Sequence, residues 1–414
     1  MKKTLLMAWS LLMATLTVNA KDNIDYVDPF IGTTNYSICH PGSVMPHALM
    51  SVVPFNVMGS DLNKYDKDKG WWSAPYEYKN RYFTGFAHVT LSGVGCPELG
   101  TLLTMPTTGQ LDVDYHNYGS AYKDEQSTPG YYSNVLTKYG IRCEVTSTMR
   151  TAVERYTFPE GQGNILLNLG NGLTNEIGAS VRQVSDTEVE GMRMLGTFCY
   201  NSDASFPMYF VMRVNKKPAQ SGFWKKQPSL GAAKDSWEKY SGKYKLYVNK
   251  TRDMAGNEIG WFMSFPCKAG EQVEVQIGVS FVSIANAREN LNTEQPTLNF
   301  EKVKAEARAS WNEVLNRVSV EGGTEAQRRV FYTALYHTQI HPNILQDVNG
   351  QYPKMEGTET LHTDGNRYTV FSLWDTYRNL TQLQTLLFPD KEIDMVRSMI
   401  DIYKEWGWMP KWEL

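Results

Sequence analysis

The segment Phe371-Ser-Leu-Trp-Asp-Thr-Tyr-Arg378 holds the densest group of side chains able to do chemistry. A carboxylate and a guanidinium can each grip a pair of sugar hydroxyls, and an indole packs flat on a sugar ring. Trp374, Asp375 and Arg378, set at the start of a helix and facing a cleft, would make a sugar site. A purely structural reading competes: Ser372-x-x-Asp375 is a capping-box pattern, and Asp375 and Arg378 stand at the i,i+3 spacing of a helix-surface ion pair. A second group, Gly70-Trp71-Trp72 with Tyr76, Tyr78 and Tyr82, lies on what reads as a long loop. Exposed, Trp71 and Trp72 form a sugar platform; buried, they are core beneath the loop. His337-x-x-x-His341 spaces two imidazoles for a shared metal, but it lacks the Glu of H-E-x-x-H and runs straight into Pro342, so exposed or hydrogen-bonded histidines are expected. Asp347-x-Asn349-Gly350 has part of a calcium-loop pattern without the remaining ligands, and reads as a tight hairpin turn. Nucleophile-elbow and phosphate-loop motifs are absent, and Leu91-Ser-Gly-Val-Gly95 follows a strand with no helical pattern after it.

Two kinds of element must position these groups. From Tyr26 to about Ile284, apolar residues alternate between turn residues. Arg142–Met149, Val153–Phe158, Met208–Val214, Lys243–Val248, Trp261–Phe265 and Val273–Val282 each read as a half-buried strand. So many short strands imply two large antiparallel sheets packed as a sandwich. After Ala285 the period changes. Phe300, Val303, Ala307, Trp311, Val314, Leu315 and Val318 form one helical stripe. Thr324-x-x-Gln327 then opens a second helix with Val330, Phe331, Ala334 and Leu335 inward. A third runs from Ser372 to Pro389, and a fourth from Asp390 places Ile393, Val396, Ile400 and Tyr403 inward. The helices after Thr324 are too few to bury one another's stripes, so a truncated second domain is expected.

The 414 residues carry 41 basic and 44 acidic side chains, a net charge of −3, which excludes nucleic-acid binding by bulk electrostatics. Met1–Ala20 reads as a cleaved secretory signal, with Lys2 and Lys3 before a short apolar run; export to the periplasm or cell exterior follows. No later stretch suits a membrane span. The five cysteines, Cys39, Cys96, Cys143, Cys199 and Cys267, leave room for one or two disulfides and at least one thiol; mostly buried free thiols are expected. The domains divide as 1–20 signal, 21–290 β-sandwich, 291–323 linker helix and 324–414 incomplete helical domain.

Several ordered motifs are similar to glycoside hydrolase family 92, the exo-acting α-mannosidases common in gut Bacteroides-type bacteria. They include Tyr26-Val-Asp-Pro-Phe-Ile-Gly-Thr33, Pro41-Gly42 to Pro46, Phe83–Cys96, Pro129-Gly-Tyr-Tyr132, Ala285–Glu294, Phe331–His337, Asp347–Tyr352, Ser372–Arg378 and Gly407–Glu413. The resemblance implies an N-terminal β-sandwich, a linker helix and the first helices of an (α/α)6 barrel. It implies a calcium-dependent inverting exo-α-mannosidase acting on N-glycans or mannan, with general acid, general base and calcium ligands beyond Leu414. No catalytic residue or metal ligand is therefore placed on this chain. By motif match, Trp374, Asp375 and Arg378 would line the terminal-mannose subsite, and the Trp71–Trp72 loop would reach the neighbouring sugar. Pro75-Tyr-Glu-Tyr78 departs from the family's Gly-Tyr-His-Tyr at that loop. The alternatives are a non-catalytic glycan-binding module and a sugar phosphorylase.

Overall fold

The structure, a computed structural model, describes residues 21–34, 38–61, 63–70, 72–173, 176–196, 205–227 and 242–411. Trp71, Cys199 and the expected signal sequence lie outside them. Two antiparallel sheets dominate the described residues. One runs, neighbour to neighbour, through Ser43–Val44, Ser51–Phe55, Gly85–Thr90, Leu99–Thr108, Gly161–Asn168, Ile259–Cys267, Gln220–Lys226 and Tyr244–Val248. The other runs through Asp253–Gly256, Glu176–Gln183, Glu188–Leu195, Phe206–Val214, Glu271–Ser280, Thr151–Phe158, Ile141–Ser147, Tyr131–Leu136, Ser120–Thr128 and Tyr82–Phe83. One apolar cluster fills the space between them, with Phe86, Met105 and Leu166 from the first sheet meeting Tyr132, Tyr156, Phe210 and Val275 from the second. This is the sandwich that the alternating runs predict, and all six of those runs are strands. The central strand Ile259–Cys267 is buried at every residue but one, so its alternation marks which sheet face a side chain joins rather than which one meets water.

Among the described residues the helices are α1 (Tyr115–Tyr118), α2 (Ile284–Glu294), α3 (Phe300–Leu315), α4 (Glu325–His337), α5 (Leu373–Thr376), α6 (Leu380–Leu387) and α7 (Pro389–Trp406). Helix α3 buries Phe300, Val303, Ala307, Trp311, Val314 and Leu315, the stripe read from the sequence. It lies on the sandwich over the Pro129-Gly130 turn. Gly130 has φ +79°, and a Cβ there would come within 2.7 Å of the Ala307 Cβ, so the turn and the helix contact both require glycine. The Trp311 indole donates to the Val44 carbonyl at 2.7 Å. Ile24, Val27, Val44 and Ala48 share a second core with Trp311, Leu315, Tyr332, Leu335, Tyr336 and Phe388. The two halves of the chain are thus built around common side chains.

Helix α4 opens with the expected Thr324–Gln327 capping box. Its buried face is Tyr332, Thr333, Leu335 and Tyr336, whereas Val330, Phe331 and Ala334 face out. The third helix is broken into α5 and α6 by a turn at residues 377–379. Helix α7 buries Glu392, Met395, Ser398 and Ile402, leaving Ile393, Val396, Ile400 and Tyr403 exposed. Both helices are apolar on two faces, so period alone does not choose between them. For α7 the choice is made by segment 367–368. Arg367 donates to the Ser398 carbonyl at 2.6 Å, pairs with Glu405 at 3.1 Å, and Tyr368 N–H donates to Ser398 Oγ at 2.8 Å. The architecture is a β-sandwich followed by the start of an (α/α) barrel.

Candidate active site

A cleft of about 570 Å³ opens where the two halves meet. One wall is the loop Ser92-Gly-Val-Gly-Cys96, which leaves the sandwich after strand Gly85–Thr90. Gly93 has φ +91°, and a Cβ at Gly93 or Gly95 would meet nothing within 4 Å, so bare backbone faces the cleft. A second wall is His337, His341 and Pro342, at the end of α4 and just beyond it. The third is the turn from Val370 to Thr376, and the floor is Leu380, Thr381 and Gln384 of α6 with Glu392, Met395 and Met399 of α7.

Trp374 and Asp375 both line this cleft, and Trp374 is 64% exposed. Val370, a β-branched residue at φ +66°, precedes them in a backbone conformation such residues seldom adopt. The Ser372 hydroxyl does not cap a backbone N–H; it donates to Asp375 Oδ2 at 2.6 Å. One carboxylate oxygen is thereby oriented by a neighbour on the same turn. Arg378 is exposed and stands aside, its Nε donating to the Tyr377 hydroxyl at 3.0 Å. The structure brings Trp374 and Asp375 to one wall and leaves Arg378 off it.

Trp72 is placed elsewhere. It is 4% exposed, stacks on Tyr65 with centroids 4.5 Å apart, and packs with Phe55, Met58 and Leu103 beneath the loop. A ring so enclosed has no free face for a sugar. W72A is expected to lower unfolding stability by about 3–5 kcal/mol through the cavity it leaves. A denaturant titration checks this, and an unchanged midpoint would contradict a core role.

His337 and His341, half-buried on the cleft wall, cluster with the buried His40. Burial, reinforced by the neighbouring His341 and His337, pushes His40 down to about 3. Burial also holds His341 down at about 4, and it lowers His337. All are neutral near pH 7. His341 is hydrogen-bonded on both nitrogens, to Ser92 N–H at 2.9 Å and to Asn343 Oδ1 at 2.5 Å. The Asp347 carboxylate is buried and accepts from Ser280 Oγ, Asn286 Nδ2 and Asn290 Nδ2 at 2.7, 2.9 and 2.6 Å. It closes the turn to Gly350, whose N–H donates to the Asp347 carbonyl at 2.9 Å, while the adjoining hairpin pairs Gln351–Pro353 with Thr360–His362. Among the described residues no group of three or more His, Cys, Asp and Glu is arranged to hold a metal ion, so the residues present do not fit a calcium site.

Two carboxylates escape the sequence motifs, one lining the cleft and one near its glycine loop. Glu392 is a carboxylate on the buried face of α7, and burial raises its pKa. Its signal was a charge in register with Met395, three residues on. Glu98, two residues beyond the loop and outside the cleft lining, is 2% exposed, and burial pushes it up to about 8 against a smaller lowering from the Leu99 backbone. Cys96 is disulfide-bonded, whereas Cys39, Cys143 and Cys267 are free thiols, the last two buried.

Residues 26–280 match the glycosyl hydrolase family 92 N-terminal domain, and residues 286–414 match the family's catalytic domain. A family GH92 α-mannosidase from Bacteroides thetaiotaomicron, solved also in complex with mannoimidazole, is 28% identical. It superposes with a TM-score of 0.82 over 95% of this chain and 51% of that one. An inverting GH92 mannosidase from the same bacterium shares the fold at 24% identity and a TM-score of 0.76, over 94% of this chain and 50% of that one. An uncharacterized secreted glycosidase of Arthroderma benhamiae is 24% identical over 381 residues, 86% of this chain and 46% of its own length. The chain spans about half the length of these relatives. With both of its domain descriptions matched, in order and nearly end to end, the chain belongs to glycoside hydrolase family 92.

Proposed function

We propose that the whole protein is an exported, calcium-dependent, inverting exo-α-mannosidase, and that this chain supplies one side of its terminal-mannose subsite. The observation that carries the reading is the Trp374–Asp375 turn, an exposed indole beside an oriented carboxylate in a cleft walled by both halves of the chain. The related Bacteroides enzyme solved with mannoimidazole supports mannose as the sugar. In this reading Trp374 packs on the ring and Asp375 accepts from its hydroxyls, and Arg378 joins them only by turning from the Tyr377 hydroxyl that it bonds off the wall. The loop at Trp71 reaches the next sugar. The acid and base of an inverting glycosidase stand about 6.5–9.5 Å apart with water between base and sugar. Together with the calcium ligands, they are assigned to the part of the barrel following Leu414. The substrates are α-mannose-containing N-glycans or mannan. Secretion is supported by the fungal relative's description and by the signal-like Met1–Ala20. No described helix is long and apolar enough to cross a membrane.

The test is mannose release by the full-length protein from an aryl α-mannoside, with the product anomer read by proton NMR. Release of β-mannose that is lost on thorough chelation and restored by calcium is expected. Release indifferent to chelation removes the calcium assignment. Cleavage that requires phosphate identifies a phosphorylase instead, and binding without turnover identifies a glycan-binding module.

A further inference from the structure

The glycine loop that walls the cleft belongs to the sandwich, yet one of its backbone anchors comes from the other half of the chain. Ser92 N–H donates to His341 Nε2 at 2.9 Å across 249 residues of sequence. The donors around His341 fix its tautomer. Asn343 Nδ2 donates to the carbonyls of Ala48 and Ile340, at 2.5 and 3.1 Å, so its Oδ1 is the atom turned to the imidazole. An amide oxygen only accepts, so His341 Nδ1 carries the proton and Nε2 is left as a bare acceptor. That acceptor meets a backbone N–H outside any strand pairing. The next residue is tied as well, Gly93 N–H to the Ile38 carbonyl at 2.7 Å. Asn343 reaches the sandwich at a second point, the Ala48 carbonyl, so the His341-Pro342-Asn343 unit clamps two sandwich segments at once.

We propose that His341 is a positioning residue which, as the Nδ1–H tautomer, holds the Ser92–Gly95 loop as a fixed cleft wall and so couples the sandwich to substrate binding in the helical domain. Without the Ser92 tie the loop is still held by Gly93 N–H on the Ile38 carbonyl and by the Cys96 disulfide, but its glycines gain conformations among which binding would have to select. The loss should therefore appear in binding more than in the chemical step. The kinetic part rests on the mannosidase reading; the structural part does not.

The experiment uses the full-length protein as wild type, H341A and H341Q, with two readouts. The first is hydrogen exchange of the Ser92 amide, localised in peptides spanning residues 90–96. The second is the split between KM and kcat on an aryl α-mannoside. In wild type the Ser92 amide is expected to be protected. In H341A, exchange there accelerates at least tenfold while the strand amides on either side keep their protection, and KM rises about tenfold with kcat within threefold. H341Q, whose side-chain carbonyl restores an acceptor, recovers at least half of both effects on a logarithmic scale. A folded H341A with unchanged exchange and KM overturns the proposal, as does an H341Q no better than H341A. If H341A does not fold, wild type decides: an unprotected Ser92 amide overturns the proposal, and a protected one, lost in a folded H341Q of unchanged stability, overturns the acceptor role. Absence of any mannosidase activity would refute the functional reading while leaving the exchange result to judge the positioning role.

Discussion

D375N in the full-length protein is expected to lower kcat/KM for α-mannoside hydrolysis by about a thousandfold or more, while thermal stability stays within about 0.5 kcal/mol of wild type. The argument is one of charge. A carboxylate accepting from sugar hydroxyls makes hydrogen bonds worth roughly 1.5–3 kcal/mol each, and two of them amount to about three powers of ten in rate when they tighten in the transition state. The amide keeps the shape and loses the charge. The Ser372 hydroxyl, now donating to Oδ2, can still bond to an amide oxygen, so the turn itself should survive. W374A should cost less, about ten- to a hundredfold, because stacking contributes through area and orientation rather than through charge. Steady-state kinetics alongside a thermal melt separates these outcomes. A D375N enzyme within tenfold of wild type would remove Asp375 from the subsite.

The second large effect falls on stability below neutrality. His40 and His47 are pushed down to about 3 and His341 to about 4, in each case chiefly by burial. Unfolded, each imidazole takes up its proton near pH 6.5. Between about pH 6.5 and 4 the unfolded chain therefore binds more protons than the folded one, and stability falls as pH falls. Each ring contributes about 1.4 kcal/mol per pH unit, so three together approach roughly 4. Glu98 runs the other way. Its pKa of about 8 means that the folded state holds a proton which the unfolded state has released above pH 4.5, so its contribution is lost as pH rises to 8. The two trends cross near pH 6.5, where maximal stability is expected. Denaturant midpoints at pH 5, 6, 7 and 8 check the sign on both sides. A profile flat from pH 7 to pH 5 would mean that the histidines are not buried neutral. E98Q is expected to flatten the alkaline limb and to steepen the acid one, because the Glu98 contribution runs from about pH 4.5 to 8 and opposes the histidines below pH 6.5.

What the sequence made legible was local. The Thr324–Gln327 capping box, the α3 stripe and the six alternating runs each depend on residues a few positions apart, and each is present. The faces of α4 and α7 were not legible, because apolar residues stand on both sides and the choice belongs to distant partners such as Arg367 and Tyr368. Trp72 next to Trp71 has the same difficulty: two adjacent indoles look alike until Tyr65 stacks on one of them. The Trp374–Asp375 turn could be found because its residue types are concentrated in one segment. The opposing wall could not, since Ser92 and His341 lie 249 positions apart and neither is unusual alone. From its spacing His341 reads only as an exposed or hydrogen-bonded histidine; its donor and acceptor sides become distinct once Asn343 and Ser92 flank it.

The core shared by Ile24, Val27, Val44 and Ala48 with Trp311, Leu315, Tyr332 and Phe388 sets limits on how such a protein can evolve. Two domain descriptions match this chain as if they were separate modules. Gene shuffling at the junction near residue 285 would nonetheless give each half a partner whose knobs do not fit its holes. The Lys21–Glu325 and Arg308–Asp25 ion pairs, at 2.8 Å each, extend the same dependence to the first residues described. Substitutions in this seam should be inherited as matched sets, and a chimaera exchanging whole sandwiches between family members should fold only when α3 and the opening segment at residues 21–27 travel together.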